Sequence, residues 1–338
     1  MMIRKIVTAC IPGLLFLASC GGDTSTPPAK TSDTVAISTP AELKAINAEI
    51  LASPNNAGLY HKRAKYYLDK KMTEEGLADM GRAMSIDSTK TAYYLTLSDL
   101  YFSSNQSGKA KITLEKAVRL DSKNTEALLK LAELYLYVSK SDKSIEYINE
   151  ALKIDKYNAK AYFMKGMNYK DLKDTAKAIS SMQTAVEQDQ QYYNAYMQLG
   201  ILSAAQYNKL AVDYYKNALR IQPKSGEAWY ALGKYYQDVQ DYSNAIGTYI
   251  ALLNIENNKN AFYNLGVIHL INMKAYNKAV DYFTGAINID PNYVEAYYGR
   301  AMAYRALKDA KKEALDLQKC LSLDPKFQPA IEALKSSK

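Results

Sequence analysis

Apolar and polar positions along this chain recur with a long period. Tyr60, Tyr94, Leu128 and Tyr162 are spaced by 34 residues, as are Tyr67, Tyr101, Tyr135 and Tyr169, and as are Ala83, Ala117, Ala151 and Ala185. The repeat continues at intervals of 33 to 35 through Trp229-Tyr230-Ala231-Leu232-Gly233, Asn264-Leu265-Gly266 and Ala301. Within a unit, positions 4, 8 and 11 share one helical face, and positions 20, 24 and 27 share another. Each unit is therefore predicted to be a pair of helices. Small residues at 8 and 20 let the pair approach closely, and large ones at 4, 11 and 24 fill the space beside them. Eight units start near Ala57, Thr91, Thr125, Ala159, Tyr193, Gly226, Lys259 and Val294.

This pattern resembles the tetratricopeptide repeat (TPR), with Ala at 20 and 27 and Asp-Pro closing two units at Asp290-Pro291 and Asp324-Pro325. The resemblance implies an all-α, α-α superhelix (TPR solenoid) over 57–327, right-handed, its first helices lining a concave groove. Each hairpin buries its faces only against its neighbours, so the array needs ends. Thr39-Pro40 before Ala41-Glu42-Leu43 reads as a helix start with Pro at the first position, opening a capping helix over 40–56 with an apolar stripe of Leu43, Ile46, Ile50 and Leu51. A second cap over 328–338 uses Ile331 and Leu334 to cover Leu317 and Leu321. Departures are Gly76 and Ser144 at position 20, and Ser203 and His269 at position 11. The fifth unit is a residue short between its helices and the seventh a residue long.

Residues 1–19 carry Arg4-Lys5 and then an apolar run too short to span a bilayer permanently, which reads as a signal peptide. Leu17-Ala18-Ser19-Cys20 resembles the bacterial lipobox, which implies lipidation of Cys20 and membrane attachment through that lipid. Residues 20–39 lack a period and read as a tether, of roughly 20 to 25 Å r.m.s. span. Asp23 is not adjacent to Cys20, so by resemblance the expected location is the outer membrane of a bacterium, on the periplasmic face or the surface.

Composition narrows the chemistry. Two His and three Cys leave little for a metal site, and no glycine-rich phosphate loop is present, so no cofactor and no metal are expected. Cys320, at an Ala position, reads as a small buried hydrophobe. His269 reads as packed and neutral, and His61 as a surface residue. A net charge of +8 over 338 residues is a solvated surface, so no nucleic-acid partner is expected. Tyr, at 30 copies, falls mostly on packing positions, with hydroxyls reaching the edges.

Positions 5, 9, 12 and 13 of the first helices face the groove. There the chain carries Leu95 and Phe102, then Leu129, Leu136 and Tyr137, then Phe163 and Met167, then Met197 and Ile201. The sixth unit adds Tyr230 and the seventh Tyr263, Val267 and Leu270. An apolar strip rimmed by charge suits a helix or extended peptide of a protein partner. Positions 5 and 9 hold His61, Lys65, Leu95, Asp99, Leu129 and Glu133, which does not resemble the family's clamp for a free peptide C-terminus. The expected function is a non-catalytic protein-protein interaction scaffold or adaptor in the bacterial cell envelope. The alternative is a glycan or peptidoglycan binder using the Tyr side chains of the groove.

Overall fold

The computed structural model describes residues 40–336, which hold eighteen α-helices, one π turn and no strand. Helix α1 (Ala41–Ala52) precedes eight helical hairpins. These are α2 (Ala57–Asp69) with α3 (Thr73–Ile86), α4 (Thr91–Ser103) with α5 (Ser107–Leu120), α6 (Thr125–Tyr137) with α7 (Ser141–Ile154), and α8 (Ala159–Asp171) with α9 (Thr175–Gln188). Then come α10 (Tyr193–Ala204) with α11 (Leu210–Ile221), α12 (Gly226–Asp238) with α13 (Tyr242–Leu253), α14 (Lys259–Val267) with α15 (Tyr276–Ile289), and α16 (Val294–Ala306) with α17 (Ala310–Leu323). Helix α18 (Gln328–Ser336) closes the stack. Packing runs mainly between helices adjacent in sequence, as expected of a solenoid.

The turn inside every hairpin is built the same way. One residue adopts a left-handed conformation, at Lys71, Asn105, Ser139, Lys173, Tyr207, Gln240, Lys274 and Lys308. The next N–H then returns to the carbonyl of position 11, as in Met72 N to Tyr67 O (2.8 Å) and Gln106 N to Tyr101 O (2.8 Å). Between hairpins an Asp carboxylate accepts the N–H two residues on, at Asp87, Asp121, Asp155, Asp189, Asp290 and Asp324. Gln222 and Glu256 take that place in the fifth and sixth units.

The tyrosines at position 4 explain much of the composition. Their rings lie in the inter-helix layer while their hydroxyls donate to a carbonyl six residues earlier: Tyr60 to Pro54 (3.0 Å), Tyr94 to Ser88 (2.9 Å), Tyr162 to Lys156 (3.1 Å) and Tyr297 to Pro291 (3.3 Å). Trp229 does the same with its indole N–H to Pro223 (2.9 Å). An amphipathic ring thus fastens each unit to the loop before it. Position-11 tyrosines face a Lys eight residues on, such as Lys109 over Tyr101 and Lys143 over Tyr135.

Three irregularities lie in the second half. The fifth unit loses a residue between Tyr207 and Ala211, and α11 is correspondingly short. A second loss, not read from the sequence, is at the end of α13, which stops at Leu253. The seventh unit regains a residue through a π turn at Ile268–Asn272, so the closing bond from Ala275 N reaches back six residues, to His269 O (2.8 Å), instead of five. His269 sits in that turn, 6% exposed and stacked on Tyr282 at 5.1 Å.

The caps differ in detail from expectation. Pro40 stands at the N-cap, not inside α1, and makes no side-chain cap bond, while Thr39 lies outside the described residues. Ile46 and Ile50 pack with Tyr66, but Leu51 points away and is 83% exposed, because it is one residue past the buried stripe. In α18 the buried contacts are made by Ala330 and Ala333, with Leu334 beside them.

Candidate groove and its side chains

The first helices stand side by side, and side chains link them along one face. His61 Nε2 meets Thr96 Oγ1 at 2.8 Å, Lys130 donates to Asp99 at 2.7 Å, Lys160 lies 3.7 Å from Glu133, and Lys170 donates to Gln198 at 2.7 Å. On the same face Phe102 and Tyr137 pack edge to face with ring centres 5.1 Å apart. His61 is thus half-buried and not simply on the surface. Burial, helped by the charge of Lys65, lowers its pKa below the usual imidazole value.

Exposure divides the expected groove residues. Phe102, Tyr137 and Ile201 are exposed, Tyr137 most at 67%. Leu136, Phe163, Met167, Tyr230, Tyr263, Val267 and Leu270 are half-buried. Leu95, Leu129 and Met197 are buried and cannot contact a partner directly. The reason lies in position 5 itself, which falls where one first helix meets the next: Leu129 shares a packed cluster with Ala161 and Met164 of α8, and Met197 one with Ala228 of α12. Val267, Leu270 and Tyr263 lean on the core between α15 and α16.

The tyrosines of the later units are partly committed to neighbouring rings. Tyr263 packs on Phe283 and Tyr293, and Tyr298 on Phe327. Tyr230 receives a long hydrogen bond from Asn264 (3.4 Å).

One feature escaped the sequence reading. A cavity of about 340 Å³ opens between the fifth and sixth units, lined by Ala204, Ala205, Tyr207, Tyr215, Tyr230, Ala231, Lys234, Tyr235 and Asp238. Lys234 and Asp238 pair at its rim. The available signal was the replacement of larger residues by alanine at positions 12 and 6 on its two sides.

Cys320 is buried, and burial pushes its thiol up to about 12, so it is a protonated packing group. Among the described residues no group of three His, Cys, Asp or Glu is placed to hold a metal ion, and no helix is long and apolar enough to cross a membrane.

An array of helical hairpins with side chains presented along one face is the architecture of a helical-repeat interaction domain. The profile of the tetratricopeptide repeat family matches residues 91–124, 125–158, 159–192, 260–293 and 294–327, and the chain belongs to that family. The fifth and sixth units, which carry the two losses, lie between the matched segments. A DnaJ homolog subfamily C member 7 homolog of Dictyostelium discoideum is 26% identical over 145 residues, 38% of this chain and 27% of that protein. The match therefore spans about a quarter of that relative's length. Among solved structures, the C-terminal part of a TPR repeat-containing protein from Cytophaga hutchinsonii superposes with a TM-score of 0.63 at 20% identity, covering 72% of this chain and 99% of that one. YrrB, described as a TPR protein with an unusual peptide-binding site, aligns over 55% of this chain and 97% of its own at 23% identity and a TM-score of 0.42. Domains of this family bind protein or peptide partners.

Proposed function

We propose that this chain is a lipid-anchored, non-catalytic adaptor of a bacterial cell envelope that holds a helix or extended peptide of a partner protein along the face of its first helices. The observation that carries the groove is the exposed aromatic pair of Phe102 and Tyr137 between the Asp99–Lys130 and Glu133–Lys160 ion pairs. An apolar contact flanked by charges of both signs suits a protein segment. The anchoring part of the proposal rests on the likeness of Leu17-Ala18-Ser19-Cys20 to a lipobox, and those residues lie outside the described ones. The glycan alternative draws less support, because Tyr263 and Tyr298 already pack against other rings.

The test is in-cell crosslinking and affinity capture with the native chain and a Phe102→Asp, Tyr137→Asp variant. Loss of a partner with helix content and melting unchanged supports the groove. An identical partner list for the two proteins places the binding surface elsewhere.

A further inference from the structure

The fifth and sixth units permit a comparison inside the chain. In each, a tyrosine of the second helix lies over the position-8 glycine of the first. A Cβ built on Gly200 would meet Cε1, Cδ1 and Cζ of Tyr215 at 2.5, 2.6 and 2.9 Å, and one on Gly233 would meet the same three atoms of Tyr249 at 2.7, 2.8 and 3.2 Å. The two rings have the same pose, so their hydroxyls reach corresponding places.

Around Tyr249 that place is furnished with two carboxamides. Its hydroxyl donates to Gln237 Oε1 (2.9 Å) and accepts from Asn264 Nδ2 (3.0 Å). Gln237 is at position 12 of the same unit and Asn264 at position 6 of the next. The same positions around Tyr215 hold Ala204 and Ala231. Tyr215 is 2% exposed, and its hydroxyl makes no hydrogen bond among the described residues. Burial pushes that hydroxyl up to about 12, with the nearby charge of Glu227 adding to it. Ala204, Ala231 and Tyr215 line one cavity. The hydroxyl opens on that cavity with no protein group placed to bond it, and a ligand that presented an acceptor there would gain a hydrogen bond from it.

We propose that this cavity is a socket for a primary carboxamide, the Gln or Asn side chain of a peptide lying in the groove, which takes the place of the two amides the fifth unit lacks. The proposal rests on the peptide-binding reading of that face. The carboxamide oxygen accepts from Tyr215, the rings of Tyr207 and Tyr230 flank its stem, and its NH2 faces the rim. The Lys234–Asp238 pair at the rim is neutral and leaves neither charge free as a counter-ion for a charged ligand, and the negative charge of Glu227 near the hydroxyl disfavours a carboxylate of the same shape.

The test uses the full chain labelled with 13C-tyrosine and propionamide as probe, followed by NMR, with propionate and N-acetylglucosamine as comparisons. Propionamide is expected to shift the Tyr215 resonances saturably at millimolar concentration, and propionate to do so at least tenfold more weakly. Read on the resonances of Tyr207 and Tyr230, which line the same cavity, Tyr215→Phe should weaken binding about fivefold, and Ala204→Gln with Ala231→Asn, which rebuilds the sixth unit's arrangement, should abolish it. No saturable shift, an equal response to propionate, or binding that survives in both variants overturns the socket. Tighter binding of N-acetylglucosamine than of propionamide overturns the peptide source. If the alanine double variant still captures the partner that Phe102→Asp, Tyr137→Asp loses, the groove stands and the socket falls.

Discussion

Arg63 grips Asp79 with a two-pronged fork, Nε to Oδ2 and Nη2 to Oδ1, both at 2.6 Å, while its third nitrogen donates to Asn47 at 2.7 Å. At the other end of the array Arg300 holds Asp316 in the same way at 2.8 Å and donates to Thr284. Both arginines occupy position 7, where five inner units have Leu, and the Asp side chains are 7% and 8% exposed. The hydrogen bonds to the carboxylates raise both guanidinium pKa values.

Removing one partner strands a buried charge. Arg63→Leu should destabilise the N-terminal units by about 3–5 kcal/mol, whereas Arg63→Leu with Asp79→Thr, which copies Leu97 and Thr113 of the second unit, should return near native stability. Urea unfolding of both variants checks this; a double variant no better than the single one would show the pair to be worth more than its apolar replacement.

Ser144 and Asn168 form a second exchange of polar for small and apolar residues. Ser144 Oγ donates to Ala132 O (2.7 Å) and accepts from Asn168 Nδ2 (2.9 Å), and Asn168 Oδ1 is buried without a partner. Ser144→Ala should cost about 1–3 kcal/mol. Asn168→Leu added to it should recover the loss, since Ala110 and Leu134 are the corresponding pair one repeat earlier and pack in one apolar cluster. Thermal melting that worsens with the second change would sink the idea.

Acid should weaken the fold through its two histidines. Burial, with Lys65 and Lys278 respectively, lowers the pKa of His61 and His269 in the folded chain. The unfolded chain takes up their protons at about 6.5, the folded chain only lower, so stability falls as pH drops below about 6.5. His269→Tyr restores the residue common at position 11. Its melting temperature should gain on the native protein progressively from about pH 7 to pH 5, and a pH-independent difference would count against the mechanism.

Leu129 and Phe102, both groove residues by position, should behave oppositely. Leu129→Asp places a charge in a packed cluster and should destabilise by about 4 kcal/mol or more. Phe102→Asp, at an exposed site, should stay within about 0.5 kcal/mol. Circular dichroism melts of the single variants decide the matter.

Cys20→Ser should release the protein from the membrane fraction or stall its processing. Fractionation with a salt wash checks it, and retention resistant to salt would mean attachment through another protein.

The periodic Ala and Tyr positions made the helical pairs, their number and their order legible, because sterics at positions 8 and 20 are local to one hairpin and recur with every unit. The turn at Tyr207 and the extra residue near His269 were legible for the same reason, as breaks in a count. Which groove positions are exposed was not. Position 5 falls against the next first helix and position 12 beyond it, so Leu129 against Ala161 is buried while Phe102, at position 12 beside Tyr137, is not. The cavity at Tyr215 likewise depends on two alanines 27 residues apart meeting around one hydroxyl, and the compensation of a short α13 by a π turn depends on backbone bonding. The sequence by itself determined the repeat and hence the fold, through contacts within and between adjacent helices. Only the tertiary structure decided which side chains face outward, because exposure belongs to pairs of units and not to any one of them.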